Sequence, residues 1–120
     1  MEYNSDFKYD FIAGHKGEKH LVSVLQDEKI EVKTDFQSFK TGNVFVEYEC
    51  RGKKSGIAIS EAKWYSFVLS NDFIILIEKE KLKILCRAYL GTKRDILGGD
   101  NNLSRGILLP LYDFVKKRIK

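Results

Sequence analysis

Three glutamates and one lysine have the types and spacing that metal-dependent chemistry requires. Glu18 lies in a helical segment and Glu47 in a strand segment. Between them, Glu31 and Lys33 stand two residues apart in a strictly alternating segment. Carboxylate oxygens are ligands that suit Mg²⁺ or Mn²⁺, and a lysine beside such an ion can orient water or stabilise charge on a phosphate. The set is therefore sufficient for hydrolysis of a phosphodiester bond.

The segment 29–35 predicts the strand that carries Glu31 and Lys33. Apolar residues and a threonine alternate in it with charged residues, so its charged face presents Glu31, Lys33 and Asp35 on one side. Such a stripe also occurs on the solvated face of an edge strand. Taken alone, this segment fits either alternative.

The segment 44–50 predicts a second alternating strand, with Glu47 and Glu49 on one face. If the two strands are neighbours, directly opposite side chains lie within about 5 Å of each other. Carboxylates at that distance repel unless a cation lies among them. The alternative is an exposed face on which these acids pair with Lys33 across the strands, for roughly 0.2–1 kcal/mol.

A helix predicted at about 15–26 carries Glu18. This glutamate lies three and four residues before Leu21 and Val22, so it shares their apolar face. A carboxylate on the buried side of a helix costs free energy unless a partner or a metal compensates it. The alternative is a first-turn glutamate that favours the N-terminus of the helix.

A basic, glycine-punctuated loop follows the second strand. The net charge is +4 and the pI is near 9.0, which mildly favours polyanions as partners. In the loop, Arg51, Lys53 and Lys54 precede Ser55. These cations either contact phosphates or belong to a loop that is simply solvated. A further basic cluster at 116–120 fits a solvated helix end that complements the helix dipole.

The other elements follow from local patterns. Ser60 has the position of an N-cap, with Glu61 in the first turn of a helix. The remaining predicted elements are a short strand or extended lead-in at 7–12, a helix at 61–70, a buried central strand at 73–77, a strand or helix start at 82–86 and an amphipathic helix at 111–120. This order predicts a mixed α/β fold in which helices flank a small central sheet.

The chain as a whole fits one cytoplasmic domain. Its 120 residues predict a single domain spanning 1–120. It has no run of about 18 apolar residues, which predicts no membrane span, and its first residues lack the apolar core of a secretory signal. Cys50 and Cys86 belong to no metal-binding motif, so we expect reduced thiols and a cytoplasmic location.

The order of these elements resembles the PD-(D/E)XK nuclease superfamily. Glu18 on the first helix is followed by Glu31-Val32-Lys33 as an E-x-K strand motif, and then by a strand and a predicted helix. The likeness is greatest to small phage-type endonucleases and Holliday-junction resolvase-like members, and it spans about 7–110. The other short motifs that contribute are at 41–43, 54–57, 62–64, 98–100 and 109–110.

The resemblance implies a restriction endonuclease-like fold and a Mg²⁺- or Mn²⁺-dependent endodeoxyribonuclease. The implied metal ligands and the catalytic lysine are Glu18, Glu31, Glu47 and Lys33. The implied DNA-backbone contacts are Arg51, Lys53, Lys54 and Ser55. No base-reading domain is visible, which favours recognition of DNA shape, such as branched or junction DNA, over sequence. A homodimer would suit paired cuts on a junction, and a phage-encoded enzyme would act in the host cytoplasm.

The motif fits the superfamily in two ways. In the first, which we prefer, Glu31 fills the aspartate position, Glu47 fills the glutamate position and Lys33 supplies the lysine from the earlier strand. Glu49 then stands where the family lysine usually stands.

In the second mapping, Glu31 and Lys33 are themselves the E-x-K pair, and the missing acid is Asp35 or Asp10.

A different class of function also stays open. In it the chain is a non-catalytic basic α/β module that binds nucleic acid or a protein partner, and the acids are solvated strand faces or a degenerate site.

Overall fold

A computed structural model describes the backbone of residues 3–116 and the side chains of 12–99 and 101–116. The described helices are α1 (Tyr3–Asp27), α2 (Ser38–Thr41) and α3 (Lys79–Arg87). The described strands are β1 (Ile30–Thr34), β2 (Asn43–Cys50), β3 (Lys53–Lys54), β4 (Trp64–Ser70), β5 (Phe73–Glu78), β6 (Asp95–Gly98) and β7 (Ser104–Pro110). Short 3₁₀ helices occupy Gly56–Ala58, Asp100–Asn102 and Leu111–Phe114.

Within the described residues, the strands form two sheets. In the first, β1 pairs with β4 in parallel and β5 pairs with β4 in the antiparallel sense, giving the order β1-β4-β5. The second sheet is antiparallel, in the order β3-β2-β7-β6. The predicted mixed α/β class is confirmed. The strands are divided between two sheets, whereas we expected one small central sheet.

One cluster of buried side chains joins both sheets to α3. Alternate residues of β4 supply the largest part of it, with Tyr65, Phe67 and Leu69 each at most 2% exposed. Their partners come from β2, β7 and α3, and are Val44, Val46, Ile107, Leu109, Leu82 and Leu85. Burial of a large apolar side chain contributes roughly 1.5–3 kcal/mol, so β4 is the central element of the core.

The helix predicted at 61–70 is wrong, because this segment forms strand β4. Its burial alternates strictly, with every second side chain buried, as a strand between two layers requires. Ser60 does act as a local cap, but of a turn: its Oγ accepts the Ala62 N–H at 3.1 Å. The period-two pattern of the segment therefore outweighs a cap signal that serves a non-helical turn.

The strand predicted at 73–77 is confirmed as β5, but its central, buried position is wrong. It lies at the edge of its sheet, with Phe73 and Ile74 exposed at 49% and 60%. A continuous apolar run does not distinguish a buried central strand from an edge strand that leaves part of its apolar surface uncovered.

Helix α1 is longer than predicted, since it begins at Tyr3 and includes 7–12, where we expected a short strand or lead-in. Gly14 and Gly17 lie inside it; a helical glycine costs about 1 kcal/mol relative to alanine but does not end a helix. The segment 82–86 belongs to α3, so the helical alternative holds. No helix within the described residues is long and apolar enough to cross a membrane.

Strand β7 was not predicted, and it pairs with β2 along nearly its whole length. Pro110 ends it, at a position where a missing N–H removes no interior ladder bond. The amphipathic helix predicted at 111–120 is wrong over its described part, which is a 3₁₀ helix at Leu111–Phe114. The residues 117–120 of that prediction, and the last basic residues with them, lie outside the described part of the chain.

Candidate functional site

The parallel pairing of β1 with β4 turns the charged face of β1 inward. Glu31 is the register partner of Tyr65, and Lys33 is the partner of Phe67. Paired residues project from the same face of a sheet, and both aromatic partners belong to the core. The side chains of Glu31 and Lys33 are 40% and 49% exposed, so they lie at the rim of the core. The apolar side chain of Val32 points away from it and is 58% exposed.

The loop that follows β2 orients the side chain of Glu47. The Ser55 hydroxyl donates a hydrogen bond to Glu47 Oε2 at 2.7 Å. The Ser55 N–H donates to the Tyr48 carbonyl at 3.0 Å, which fixes the loop against β2. Gly56 allows this approach, because it has a φ of +52° and its α-carbon faces the Glu47 backbone with no room for a Cβ. The loop therefore orients one of the two candidate metal ligands.

The structure brings Glu31, Lys33 and Glu47 together around Tyr65. Lys33 and Glu47 line one narrow crevice with Tyr65, and Lys33 Nζ lies 3.7 Å from Glu31 Oε2. The pKa of the Tyr65 hydroxyl is raised, first by burial and also by the negative charges of Glu31 and Glu47, while a hydrogen bond with Ser60 lowers it. Both carboxylates thus act on the same phenol from two different strands.

Two carboxylates form a suitable donor set for a hard dication that is shared with a phosphate, and a nearby ammonium group can contact that phosphate. Mg²⁺ in enzymes that act on phosphates is commonly bound by one or two carboxylates, with waters and substrate oxygens completing the shell. Among the side chains that the structure describes, no three His, Cys, Asp or Glu residues are grouped as ligands. The donor set of Glu31 and Glu47 therefore fits Mg²⁺ or Mn²⁺ only together with substrate and water.

Glu18 lies apart from this set. It is exposed on α1, in a depression lined only by α1 residues such as His15 and Asp27. It precedes the end of α1 by nine residues, about 14 Å along a helix axis. A Glu18–Glu31–Glu47 cluster would be a group of three acids, and none occurs among the described side chains. The predicted third glutamate is thus not brought to the other two.

Asp35 caps the turn that leads from β1 into α2. Its Oδ1 accepts the Gln37 N–H at 3.0 Å, and its carbonyl oxygen accepts the Ser38 hydroxyl at 2.8 Å. Its own N–H donates to the Val68 carbonyl at 2.9 Å, extending the β1–β4 pairing by one residue. These contacts give Asp35 a structural role at the end of β1. The side chain of Asp10, the other candidate acid, lies outside the described residues.

A β-bulge separates Glu49 from Glu47. Glu47 pairs with Gly106 and Glu49 with Arg105, so β2 advances two residues where β7 advances one. Consecutive residues of β7 project from opposite faces, and paired residues share a face. The bulge therefore places Glu49 on the face opposite Glu47, where the alternation alone predicted a shared face. Glu49 is also the backbone register partner of Lys54 across β2 and β3.

The predicted basic loop forms a tight turn next to the carboxylates. Arg51 and Gly52 both have positive φ, 53° and 78°, and the Arg51 N–H donates to the Leu103 carbonyl at 3.0 Å. Lys53 and Lys54 form the short strand β3, and all three cations are exposed. Ser55, which follows at once, bonds Glu47. Positive charge thus lies on exposed side chains of the same loop whose Ser55 bonds Glu47.

A second polar network behind β2 was not predicted. The Tyr48 hydroxyl donates to Asp95 Oδ1 at 2.7 Å, and Arg105 Nη1 lies 3.2 Å from the same oxygen. Burial opposes ionisation of Asp95, but the Gly91 N–H, Tyr48 and Arg105 outweigh it, so the Asp95 pKa lies below its ordinary value. This network ties β6 and β7 to β2 and fixes the strand that carries Glu47.

Tyr65 is the one residue of the site itself that the sequence did not indicate. The alternation of Tyr65, Phe67 and Leu69 was the available signal, and the helix assigned to that segment concealed it. With Tyr65 included, the chemistry of the site is carried by side chains from β1, β2 and β4.

Comparison of the chain with protein-family models, with curated proteins and with solved structures finds no match.

Proposed function

We propose that this protein is a metal-dependent endodeoxyribonuclease that hydrolyses DNA phosphodiester bonds. The observation that carries the proposal is that Lys33 and Glu47, from strands of different sheets, line one crevice with Tyr65, while Glu31 lies beside Lys33 and its charge acts on Tyr65. Carboxylates that act on one site repel each other unless a cation compensates their charge. Lys33 compensates only part of two negative charges, which leaves the set suited to a dication.

Each side chain has a distinct role in this proposal. Glu31 and Glu47 bind Mg²⁺ or Mn²⁺, and Ser55 orients Glu47. When bound, the ion would polarise a phosphoryl oxygen and lower the pKa of a coordinated water. The Lys33 ammonium group stabilises negative charge on the scissile phosphate or orients the attacking water. We assign Glu18 no role at this site, because it lies on the exposed part of α1.

DNA binding would be electrostatic and largely independent of sequence. The exposed cations Arg51, Lys53 and Lys54 lie on the turn beside Glu47 and would contact the phosphate backbone. Contacts of this kind position DNA but carry no direct base information. We therefore propose selectivity for DNA structure, with branched or junction DNA as the substrate class and a homodimer as the form that makes paired cuts.

A cleavage assay tests the proposal. Labelled four-way junction and linear duplex DNA are incubated with the protein in Mg²⁺, Mn²⁺ or EDTA. We expect cutting only with a metal, and a loss of about 10²-fold or more in Glu31→Gln, Glu47→Gln and Lys33→Met. Glu80→Gln is the matched control, since its side chain is 66% exposed on α3 and outside the site.

Two outcomes would contradict the proposal. Undiminished cutting by the three site variants would show that the activity belongs to a contaminating nuclease. Binding of junction DNA without cutting under any metal would instead fit the non-catalytic basic module.

A further inference from the structure

A pocket of about 280 Å³ lies on the other side of the loop that orients Glu47. Its floor includes Val46, Ile57 and Ile107, which belong to the core and are at most 5% exposed. A floor made of core side chains is preformed, because it does not depend on the binding of a ligand. The volume lies just below the roughly 300–1,000 Å³ of sites for drug-sized molecules. The pocket therefore suits a single ring system.

The rim of this pocket is positively charged. Lys54 contributes from β3, and Lys83 and Arg87 contribute from α3, where a spacing of four residues places them on one helix face. No acidic side chain lines the pocket. Among the described residues, none of these three cations forms an ion pair. An apolar floor beneath unpaired cations matches a ligand with a flat apolar body and attached anionic groups.

We propose that this pocket receives one unstacked nucleobase of a DNA strand, with the flanking phosphates on Lys54, Lys83 and Arg87. The inference deepens the proposed function, on which it rests, by naming the substrate feature that is recognised. The pocket adjoins the candidate site, because Val46 and Ile57 line both the pocket and the crevice that holds Glu47.

The substrate class follows from the need for an unstacked base. A base in a continuous duplex must leave its stack to enter a pocket, whereas an unpaired base at a branch point, flap or single-stranded end does not. Contact with the face of a base tolerates any sequence, because every base has a similar π-face. The pocket thus selects DNA that offers an unpaired nucleotide, without selecting the identity of the base.

Fluorescence anisotropy of short labelled oligonucleotides in EDTA measures this contact without the metal site. One thymidine oligonucleotide is intact, and a second has abasic positions at its centre with the same phosphates. We expect the intact strand to bind at least about fivefold more tightly, the lower end of what one stacked base contributes. Ala58→Phe, which fills the pocket from its exposed lining, should abolish that preference while retaining binding of the abasic strand.

The charged rim has its own control. The double variant Lys83→Ala, Arg87→Ala should weaken binding of both strands about tenfold. The double variant Lys81→Ala, Lys93→Ala removes the same charge from exposed positions outside the pocket and should weaken binding by less than about twofold. Equal losses in the two double variants, or equal affinity for intact and abasic strands, would overturn the inference.

Two further measurements distinguish a free nucleotide from a DNA strand as the ligand, and the pocket from the nuclease site. Competition with dTMP distinguishes a free nucleotide from a strand: we expect displacement only at about 100-fold higher concentration, and displacement at equal concentration would overturn the strand assignment. The variant Glu31→Gln should keep the preference for the intact strand. A protein that shows the preference but never cuts DNA refutes the nuclease alone, and one that cuts without the preference refutes the pocket alone.

Discussion

Replacement of Gly56 by alanine tests how the loop after β2 holds Glu47. Gly56 has a φ of +52°, and a Cβ built on it would overlap the Glu47 carbonyl oxygen and lie 2.8 Å from the carbonyl carbon. Those atoms are backbone and cannot rotate away. The loop must therefore shift, and the shift carries the Ser55 hydroxyl away from Glu47 Oε2, which it now contacts at 2.7 Å.

The cost of Gly56→Ala has two parts. A left-handed backbone costs about 1–2 kcal/mol for a residue with a Cβ. Relief of a steric overlap in packed structure costs roughly 1–3 kcal/mol more. The sum is about 2–5 kcal/mol in the free energy of unfolding. Gly52→Ala is the matched control, because Gly52 has a φ of +78° and no heavy atom within 4 Å of its built Cβ.

Urea denaturation followed by far-UV circular dichroism measures both variants. Effects of the methyl group on the unfolded chain are similar in the two, so the difference isolates the overlap with Glu47. We expect Gly56→Ala to lose at least about 1 kcal/mol more than Gly52→Ala. Equal losses would refute the close approach of this loop to β2, and with it the structural basis for orienting Glu47.

Three further predictions concern the site and its support. Ser55→Ala removes the hydrogen bond to Glu47, so the Mg²⁺ concentration for half-maximal cutting should rise about tenfold with unchanged stability; an unchanged Mg²⁺ dependence would contradict the orienting role. The lowered pKa of Asp95 gives a contribution to stability that is complete above the ordinary carboxyl pKa near 4 and is lost as pH falls through the folded pKa. The thermal midpoint of Asp95→Asn should therefore fall less than that of the unmodified protein between about pH 5 and about pH 2. Burial, together with a nearby carboxylate, raises the pKa of Cys86 to about 12. Iodoacetamide at neutral pH should therefore modify the half-buried Cys50 first and reach Cys86 only on unfolding. Mass spectrometry of the labelled peptides measures the order of modification.

Strict alternation allowed the strands around the site to be predicted. The sequences of β1 and β2 both alternate with a period of two, and both strands form where expected. β4 has the same period, but its preceding serine and glutamate imitate a helix start. Two local signals then conflict, and packing of Tyr65 and Phe67 between the layers decides between them.

Local sequence patterns do not predict how buried a strand is or which strand it pairs with. The apolar run of β5 predicts a strand but not its place in a sheet, which depends on the neighbours it meets. β7 pairs with β2 across more than fifty residues of sequence, and nothing in its own pattern names that partner. Long-range pairing of this kind is set by the whole chain, since β propensity depends strongly on context.

The candidate site was predicted where it depends on strand faces and not where it depends on tertiary geometry. Glu31, Lys33 and Glu47 follow from the faces of two alternating strands. Glu18 does not join them, because a shared helix face gives the direction of a side chain and not the surface that the helix meets. The bulge that separates Glu49 from Glu47 leaves no simple trace in the alternation.

A crystal soaked in Mn²⁺ shows directly whether Glu31 and Glu47 are ligands of one catalytic ion. Anomalous scattering locates Mn²⁺ without assumptions about the surrounding atoms. We predict an anomalous peak between the two carboxylates, with Lys33 beside it and the peak absent in Glu47→Gln. Carboxylates that point apart into solvent, with Mn²⁺ bound only elsewhere or not at all, would show that Glu31 and Glu47 do not share an ion.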